Sequence, residues 1–197
     1  TGSTAYYIEI ASIAFDDAAG NSYAGITGAT TLNFETADVF APTLSSSSPS
    51  DDATGVAVDA NIVLTFSEAV DTETGTIVIK KVSDNTQVES FDVATSSVIS
   101  GSGTTTITIN PTSNLASSTA YYIEIASTAF DDAAGNSYAG ITGATTLNFE
   151  TADVAAPTLT FSPADGATGV AADANITITF NEAVRLIDDS ALSDTNV

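Results

Sequence analysis

The sequence contains no cysteine and no histidine, and each absence removes a class of chemistry. Without cysteine there is neither a disulfide framework nor a thiolate nucleophile or metal ligand. Without histidine the chain lacks the commonest general base and a preferred ligand of transition metals. Zinc, haem and iron–sulfur centres are therefore not expected.

Positive charge is also scarce, because three basic residues accompany 25 acidic ones and the formal net charge is −22. Such a chain repels nucleic acid phosphates and anionic membrane surfaces, so we expect neither as a partner. No apolar run is long enough to span a bilayer, and we predict no membrane insertion in this segment. Cations are the partners that this charge favours.

Apolar residues make up 43% of the chain and charged residues only 14%. Disordered acidic segments show the opposite balance, so this chain has enough apolar surface to fold. The composition, which also lacks methionine and tryptophan, suits a very long bacterial surface protein.

Two long segments of the sequence recur out of frame. Residues 4–42 return at 119–157 with two differences in 39 positions, a shift of 115 residues. Residues 48–70 return at 162–184, with a shift of 114 residues. Repetition at this length indicates an array of whole domains, and we expect the protein to continue beyond both ends of this chain.

The repeat divides the chain into three parts. We predict that residues 1–39 are the closing strands F and G of a first repeat, and that residues 40–154 form one complete repeat. Residues 155–197 are then strands A and B and the start of strand C of a third repeat. A unit of about 115 residues is long enough to have its own core.

The complete repeat reads as short strands separated by turns. Residues 61–68 alternate with period two, which predicts a half-buried strand with Ile62, Leu64 and Phe66 facing inward. Other strands are predicted near 41–49 and at 76–82, 87–93, 104–110, 120–126 and 145–151. About seven strands without an amphipathic helix indicate an all-β fold, an antiparallel β-sandwich.

A late strand carries the pattern of a tyrosine corner. Leu115, Thr119 and Tyr121 have the spacing at which a tyrosine hydroxyl bonds to backbone upstream. The alternation then predicts that Tyr121, Ile123 and Ile125 face the core.

The central repeat resembles the SbsA-type bacterial Ig-like domain. The resemblance rests on the segments APTL (41–44), ATGV (53–56), DANI (59–62), TFSEAV (65–70) and DAAGN (132–136). Domains of this type occur in S-layer proteins and in tandem arrays of giant bacterial adhesins and surface fibres. The resemblance implies tandem Ig-like sandwiches arranged as beads on a string, located outside the cell on the bacterial surface.

Near-identity of the repeats indicates a structural role, because a spacer needs length and stiffness but no divergent binding site. We therefore expect an extender or stalk of a giant adhesin or fibre, with neighbouring repeats and lateral or head-to-tail copies as partners. The alternative is a subunit of a self-assembling filament or S-layer-like lattice, completed by strand donation between chains. Paired carboxylates without a cleft-forming insertion give no support for catalysis, so we expect no enzyme.

Acidic residues are predicted to gather where consecutive repeats meet, because the B–C turn and the F–G loop of an Ig-type sandwich lie beside the preceding linker. The linker supplies Asp38, the B–C turn supplies Glu68 and Asp71, and the F–G loop supplies Asp131, Asp132 and Asn136. Several oxygen ligands without a basic neighbour suit Ca²⁺, which we expect as the cofactor that stiffens the junction.

The next junction carries Asp153 and Glu182 as equivalent metal ligands, but Arg185 replaces Asp71. If Asp71 were an essential ligand, that junction would bind calcium more weakly. The alternative without a metal is that Asp131 and Asp132 only cap their loop through Asx-turns.

Overall fold

A computed structural model describes residues 2–186, which contain strands and no helix. Within these residues no helix of membrane-spanning length and hydropathy is found. The chain divides into two compact units, Thr1–Ala152 and Asp153–Val197. In the first unit, strands β1 and β2 precede the central repeat, at Ala5–Tyr7 and Asn33–Glu35.

Ten strands form the central repeat. They are β3 (Leu44–Ser48), β4 (Ala53–Val56), β5 (Ile62–Thr72), β6 (Thr76–Lys81), β7 (Gln87–Asp92), β8 (Ile99–Ser100), β9 (Thr104–Ile109), β10 (Ala120–Ile125), β11 (Phe130–Asp131) and β12 (Asn148–Thr151). The second unit contains β13 (Leu159–Ser162) and β14 (Thr177–Phe180).

The strands of the central repeat form two sheets. One has the order β4-β12-β10-β6-β7, and the other has the order β11-β5-β9-β8 with β3 paired to β5. All pairs are antiparallel except β4 with β12, which is parallel. The predicted all-β Ig-like sandwich is therefore confirmed.

The core lies between these sheets and follows the predicted alternation. Ile62, Leu64 and Phe66 of β5 are at most 3% exposed. The opposite sheet contributes Tyr121 and Ile123, which are also buried. These side chains belong to one apolar cluster that both sheets share, and Phe66 also packs against the rings of Phe130 and Tyr138.

The predicted tyrosine corner is present. The backbone N–H of Ala116 donates to the Tyr121 hydroxyl at 2.9 Å. The sequence pattern succeeds here because the donor lies only five residues upstream, so local spacing alone brings the two groups together.

The substitution Tyr121→Phe is expected to lower the free energy of unfolding by about 1–2 kcal/mol, because the Ala116 N–H loses its acceptor. Tyr6→Phe, at the equivalent position of the upstream copy, is the matched control. The Tyr6 side chain is 50% exposed, so its change is expected to stay within about 0.5 kcal/mol. Urea unfolding of both variants measures the difference in the free energy of unfolding. Equal losses in the two variants would show that the Tyr121 hydroxyl does not stabilise the fold.

Residues 2–39 repeat the local structure of the last strands of the central repeat. The pairs Ala5↔Glu35 and Tyr6↔Phe34 reproduce Ala120↔Glu150 and Tyr121↔Phe149. The two copies differ in burial, since Phe34 is 51% exposed and Phe149 only 2%. The two copies therefore share strand pairing and register and differ in exposure.

The second unit repeats the opening strands in a simpler form. Its strands β13 and β14 pair in antiparallel register, with Phe161 opposite Ile178. Ile176 and Ile178 are 81% and 55% exposed, although their counterparts Ile62 and Leu64 are buried. The predicted start of strand C in this third repeat lies outside the described residues.

Strand β5 is longer than predicted, and this corrects the placement of two site residues. The predicted strand ended at Glu68, where the B–C turn was expected to begin and to contain Asp71, but both residues lie within β5, which continues to Thr72. The pairing of β5 with β9 shifts register between Thr65 and Val70. This irregularity allows the polar residues after Phe66 to remain part of the strand. The alternation of apolar and polar residues does not predict such a register shift.

Candidate metal centre

Three carboxylates from distant parts of the sequence meet at one end of the central repeat. Asp38 comes from the linker before β3, Glu68 from the irregular part of β5, and Asp132 from the loop after β11. One oxygen of each lies within 4.8 Å of the others. Asp38 and Glu68 are half-buried, and Asp132 is buried. They are the one such group among the described residues.

The carboxylates line an open groove with a volume of about 630 Å³. Glu35 and Ser3 of the upstream segment lie at the same groove, and the Ser3 hydroxyl donates to Glu35 at 2.8 Å. The groove is therefore rich in oxygen atoms, and its opening gives a cation and its water ligands room to enter.

Asp132 is held rigidly by its own loop. Its Oδ1 accepts the backbone N–H groups of Ala134 and Asn136, both at 2.8 Å. Its Oδ2 accepts the Asn136 side-chain amide, also at 2.8 Å. Gly135 takes the positive φ of 86° that closes this turn. The Asx-turn expected as the alternative to metal binding is thus present.

The upstream copy of this loop forms the same turn. Asp17 accepts the same bonds from Ala19 and Asn21 as Asp132 accepts in the central repeat. Asp17 is exposed, and the described residues place no pair of further carboxylates beside it. The Asx-turn is thus a property of the loop sequence, whereas the three-carboxylate cluster is a property of the junction.

The pKa of Asp132 lies below its ordinary value of 3.8. Burial is the largest single influence and raises the pKa, but the hydrogen bonds from Asn136 and from the backbone of Ala134 and Gly135 together outweigh it. The buried carboxyl is therefore ionised at neutral pH, which is the state that a cation requires.

Lowering the pH is expected to destabilise this loop because the folded state holds Asp132 ionised. A lowered folded pKa gives stability that is fully present above the unfolded value of 3.8 and lost as the pH falls through the folded value. Urea unfolding from about pH 6 down to about pH 2.5 measures this loss. In Asp132→Asn the free energy of unfolding should fall less steeply with decreasing pH below about pH 4. An unchanged dependence on pH would show that Asp132 does not cause the loss.

The linker is fastened to the same loop. The Asn136 side-chain amide donates to the backbone carbonyl of Asp38 at 3.3 Å. The Asp38 carboxylate in turn accepts the backbone N–H of Phe40 at 3.1 Å. Asn136 therefore joins the linker to Asp132.

Asp71 and Asp131 lie next to this cluster but outside it. They are register partners on β5 and β11, and Asp71 accepts a hydrogen bond from the Ser102 hydroxyl at 3.3 Å. Asp131 is the last residue of β11, whereas Asp132 follows the strand and bonds within its own loop, so the two carboxylates have different surroundings. The sequence could not assign these two acids to a face because β11 has only two residues.

The other two predicted ligands belong to the second unit. Asp153 accepts the backbone N–H of Ala155 at 3.0 Å, which makes it a cap for its own linker. Glu182 has one buried oxygen, Oε1, without a hydrogen-bond partner among the described residues. Neither residue belongs to a group of three potential metal ligands in the part of the chain that the structure describes.

Comparison with solved structures gives several resemblances. CopC from Methylosinus trichosporium OB3b is 16% identical, with 58% of this chain and 97% of that chain covered and a TM-score of 0.42. The N-terminal part of the bacterial S-layer protein SbsC is 16% identical, with coverage of 62% and 26% and a TM-score of 0.41.

A second SbsC structure, rSbsC(31-844), is 19% identical, with coverage of 62% and 15% and a TM-score of 0.38. This chain thus spans only a small part of the S-layer proteins that it resembles. A search of the curated proteins gives no match.

The sequence profile of the bacterial Ig-like domain matches residues 38–151 and again residues 153–196. These two matches cover most of the sequence, and the first coincides with the ten-stranded sandwich. The chain therefore belongs to the bacterial Ig-like domain family.

Proposed function

We propose that this chain is a structural extender of a bacterial cell-surface protein, such as an adhesin stalk or a fibre. The observation that carries the proposal is the duplication of whole Ig-like segments with two differences in 39 positions. Each repeat adds the length of one sandwich, and near-identity over these 39 positions leaves little room for divergence toward a specific ligand. Bacterial Ig-like domains are typically structural, and the proposal includes no catalytic step.

Calcium at the junction of Asp38, Glu68 and Asp132 is the second part of the proposal. An extender transmits force or holds distance only when its joints resist bending. The cluster joins the linker to two separate elements of the following sandwich, so one bound ion would tie three parts of the chain together. The carbonyl oxygens of the linker and water complete the six to eight ligands that Ca²⁺ takes.

Calcium suits this site better than the common alternatives. Its ligands are all hard oxygens, which disfavours zinc and copper. Magnesium requires compact octahedral geometry and keeps much of its water, whereas the groove is open and its carboxylates come from separate elements. Without a bound cation the three carboxylates repel one another, and this repulsion favours opening of the junction.

Spin labels on the two sides of the junction test whether calcium stiffens it. The chain lacks cysteine, so Thr30→Cys and Ser83→Cys at two exposed positions can be labelled specifically. Calcium is expected to narrow the distribution of distances between the labels, and chelation to broaden it again. Asp38→Asn in the labelled protein is the control and should show the broad distribution in both conditions.

A distribution of equal width with and without calcium in the labelled parent would contradict the stiffening. The alternative role as a subunit of a filament or S-layer-like lattice predicts particles that grow with protein concentration. Light scattering over a concentration series separates the two roles, because an extender shows no such unlimited growth.

A further inference from the structure

Two strands from opposite ends of the central repeat lie side by side and run in the same direction. β4 (Ala53–Val56) is the first strand of its sheet along the chain, and β12 (Asn148–Thr151) is the last strand of the repeat. Their parallel register places Ala53 opposite Phe149 and Val56 opposite Thr151. The segment that enters this sheet and the segment that leaves the repeat are thus in direct contact.

Hydrogen bonds join the two strands at both ends of the pair. At the upstream end, the Asp52 N–H donates to the Asn148 carbonyl at 2.9 Å. The Asp51 carboxylate accepts the backbone N–H and the side-chain amide of Asn148, each at 3.0 Å. At the downstream end, the Ala152 N–H donates to the Val56 carbonyl at 2.7 Å. Asp51 therefore adds two side-chain bonds to a backbone contact.

The downstream end of β12 is also tied to the segment before β10. The Thr151 hydroxyl is buried, donates to the Ala116 carbonyl at 2.6 Å and accepts the Thr119 N–H at 3.0 Å. The Ser118 N–H donates to the Ala152 carbonyl at 3.2 Å. A pull on the chain beyond Ala152 therefore acts on β4 and on the segment before β10 together.

The direction of the two strands decides how they carry tension. The chain continues on both sides of the central repeat, so a pull along it enters through the linker before β3 and leaves after β12. β3 passes part of this load to β5, and the rest reaches β4. Because β4 and β12 are parallel, the load pulls on opposite ends of the pair, and their hydrogen bonds bear it simultaneously.

We propose that β4 and β12, together with Asp51, form a shear clamp through which the central repeat resists a pull along the chain. The inference rests on the proposed function as an extender, because a chain held at both ends is one that carries tension. The clamp requires no bound ion, since its hydrogen bonds involve none of the three clustered carboxylates. Asp51 recurs in the third repeat as Asp165.

A similar carboxylate outside the clamp provides a matched control. Glu89 of β7 accepts the Thr112 backbone N–H at 3.1 Å and also the Thr112 hydroxyl. Like Asp51, it receives one backbone and one side-chain donor from a residue that is distant in sequence. β7 lies at the opposite edge of the sheet from β4, away from the points where tension enters and leaves. Asp51→Ala and Glu89→Ala therefore remove comparable bonds inside and outside the clamp.

Single-molecule stretching of the full chain at constant force tests the clamp. The chain lacks cysteine, so Val39→Cys and Val154→Cys, at positions 71% and 64% exposed, provide attachment points on both sides of the repeat. Chelator is present throughout, so that calcium at the proposed junction site does not contribute. Asp51→Ala is expected to unfold about tenfold faster than the parent, because bonds that must break under load are missing.

Glu89→Ala should unfold within about threefold of the parent rate, because its bonds remain intact when the clamp breaks and their loss is not felt in the rate. Urea unfolding without force is the check on the pair. There both variants are expected to lose similar stability, which would show that the removed bonds are of comparable strength.

A change in the direction of the pull tests the clamp without altering it. Asp59→Cys with Val154→Cys applies force to the adjacent downstream ends of β4 and β12, so the bonds break one after another. At the same force, unfolding should be at least about tenfold faster than between positions 39 and 154. Since neither pair of attachment points removes a clamp bond, the difference reports the direction of load.

Two results would overturn the proposal. The first is an equal unfolding rate for the two directions of pull. The second is an equal effect of Asp51→Ala and Glu89→Ala under the pull between positions 39 and 154. Particles that grow with protein concentration would instead contradict the role as an extender, and they would leave these single-molecule rates unchanged. Failure of the clamp and failure of the proposed function are therefore distinguishable.

Discussion

Phe149→Ala is expected to lower the free energy of unfolding of the central repeat by about 3–5 kcal/mol, whereas Phe34→Ala should lower it by less than about 1 kcal/mol. The two residues occupy equivalent positions and pack on equivalent tyrosines. They differ in exposure, at 2% and 51%. The pair therefore isolates the contribution of burial from that of sequence and local structure.

Urea unfolding followed by circular dichroism measures both variants against the parent. A loss of this size is large compared with the total stability of about 5–15 kcal/mol that small domains have. The midpoint of the transition should therefore fall strongly for Phe149→Ala with little change in its slope. Similar losses in the two variants would contradict the account, because they would show that residues 2–39 are also packed in a core.

Asp132→Asn is expected to abolish the response of the central repeat to calcium, while Asp17→Asn should leave that response unchanged. Both substitutions place an amide beside the amide of the loop asparagine and so disturb the same Asx-turn. Only Asp132 also belongs to the cluster with Asp38 and Glu68. The difference between the variants therefore reports the proposed metal site and not the loop.

Two further variants of the metal site sharpen this comparison. Asp38→Asn removes a cluster carboxylate without touching the Asx-turn, and it should also abolish the response to calcium. Asp71→Asn should retain most of it, because Asp71 bonds to Ser102 outside the cluster. Loss of the response in Asp71→Asn would show instead that the ligands include Asp71, as the sequence first predicted.

The sequence was sufficient to predict the sandwich because its alternation reflects burial directly. Ile62 and Leu64 are apolar at every second position, and both are buried. Strand β4 was not predicted, since its residues Ala53–Val56 contain a glycine and follow two aspartates, a pattern typical of a turn. Its pairing with β12 is a long-range contact that no local pattern encodes.

The candidate site was predictable in part for a similar reason. Topology alone brings the linker, the end of β5 and the loop after β11 to one end of the sandwich. The sequence placed Asp38, Glu68 and Asp132 at one junction, but it could not separate them from Asp71 and Asp131. The separation depends on the register shift in the pairing of β5 with β9, because this shift determines which side chains of β5 face the groove.

Thermal unfolding of the full chain in calcium and in chelator shows whether an ion binds at the junction. A ligand at about 100 times its dissociation constant stabilises the folded state by about 2.7 kcal/mol. For a domain of this size that corresponds to an increase in Tm of about 10 °C for the central repeat. We expect this increase in the parent and its absence in Asp38→Asn. Equal Tm values of the parent in calcium and in chelator would contradict it.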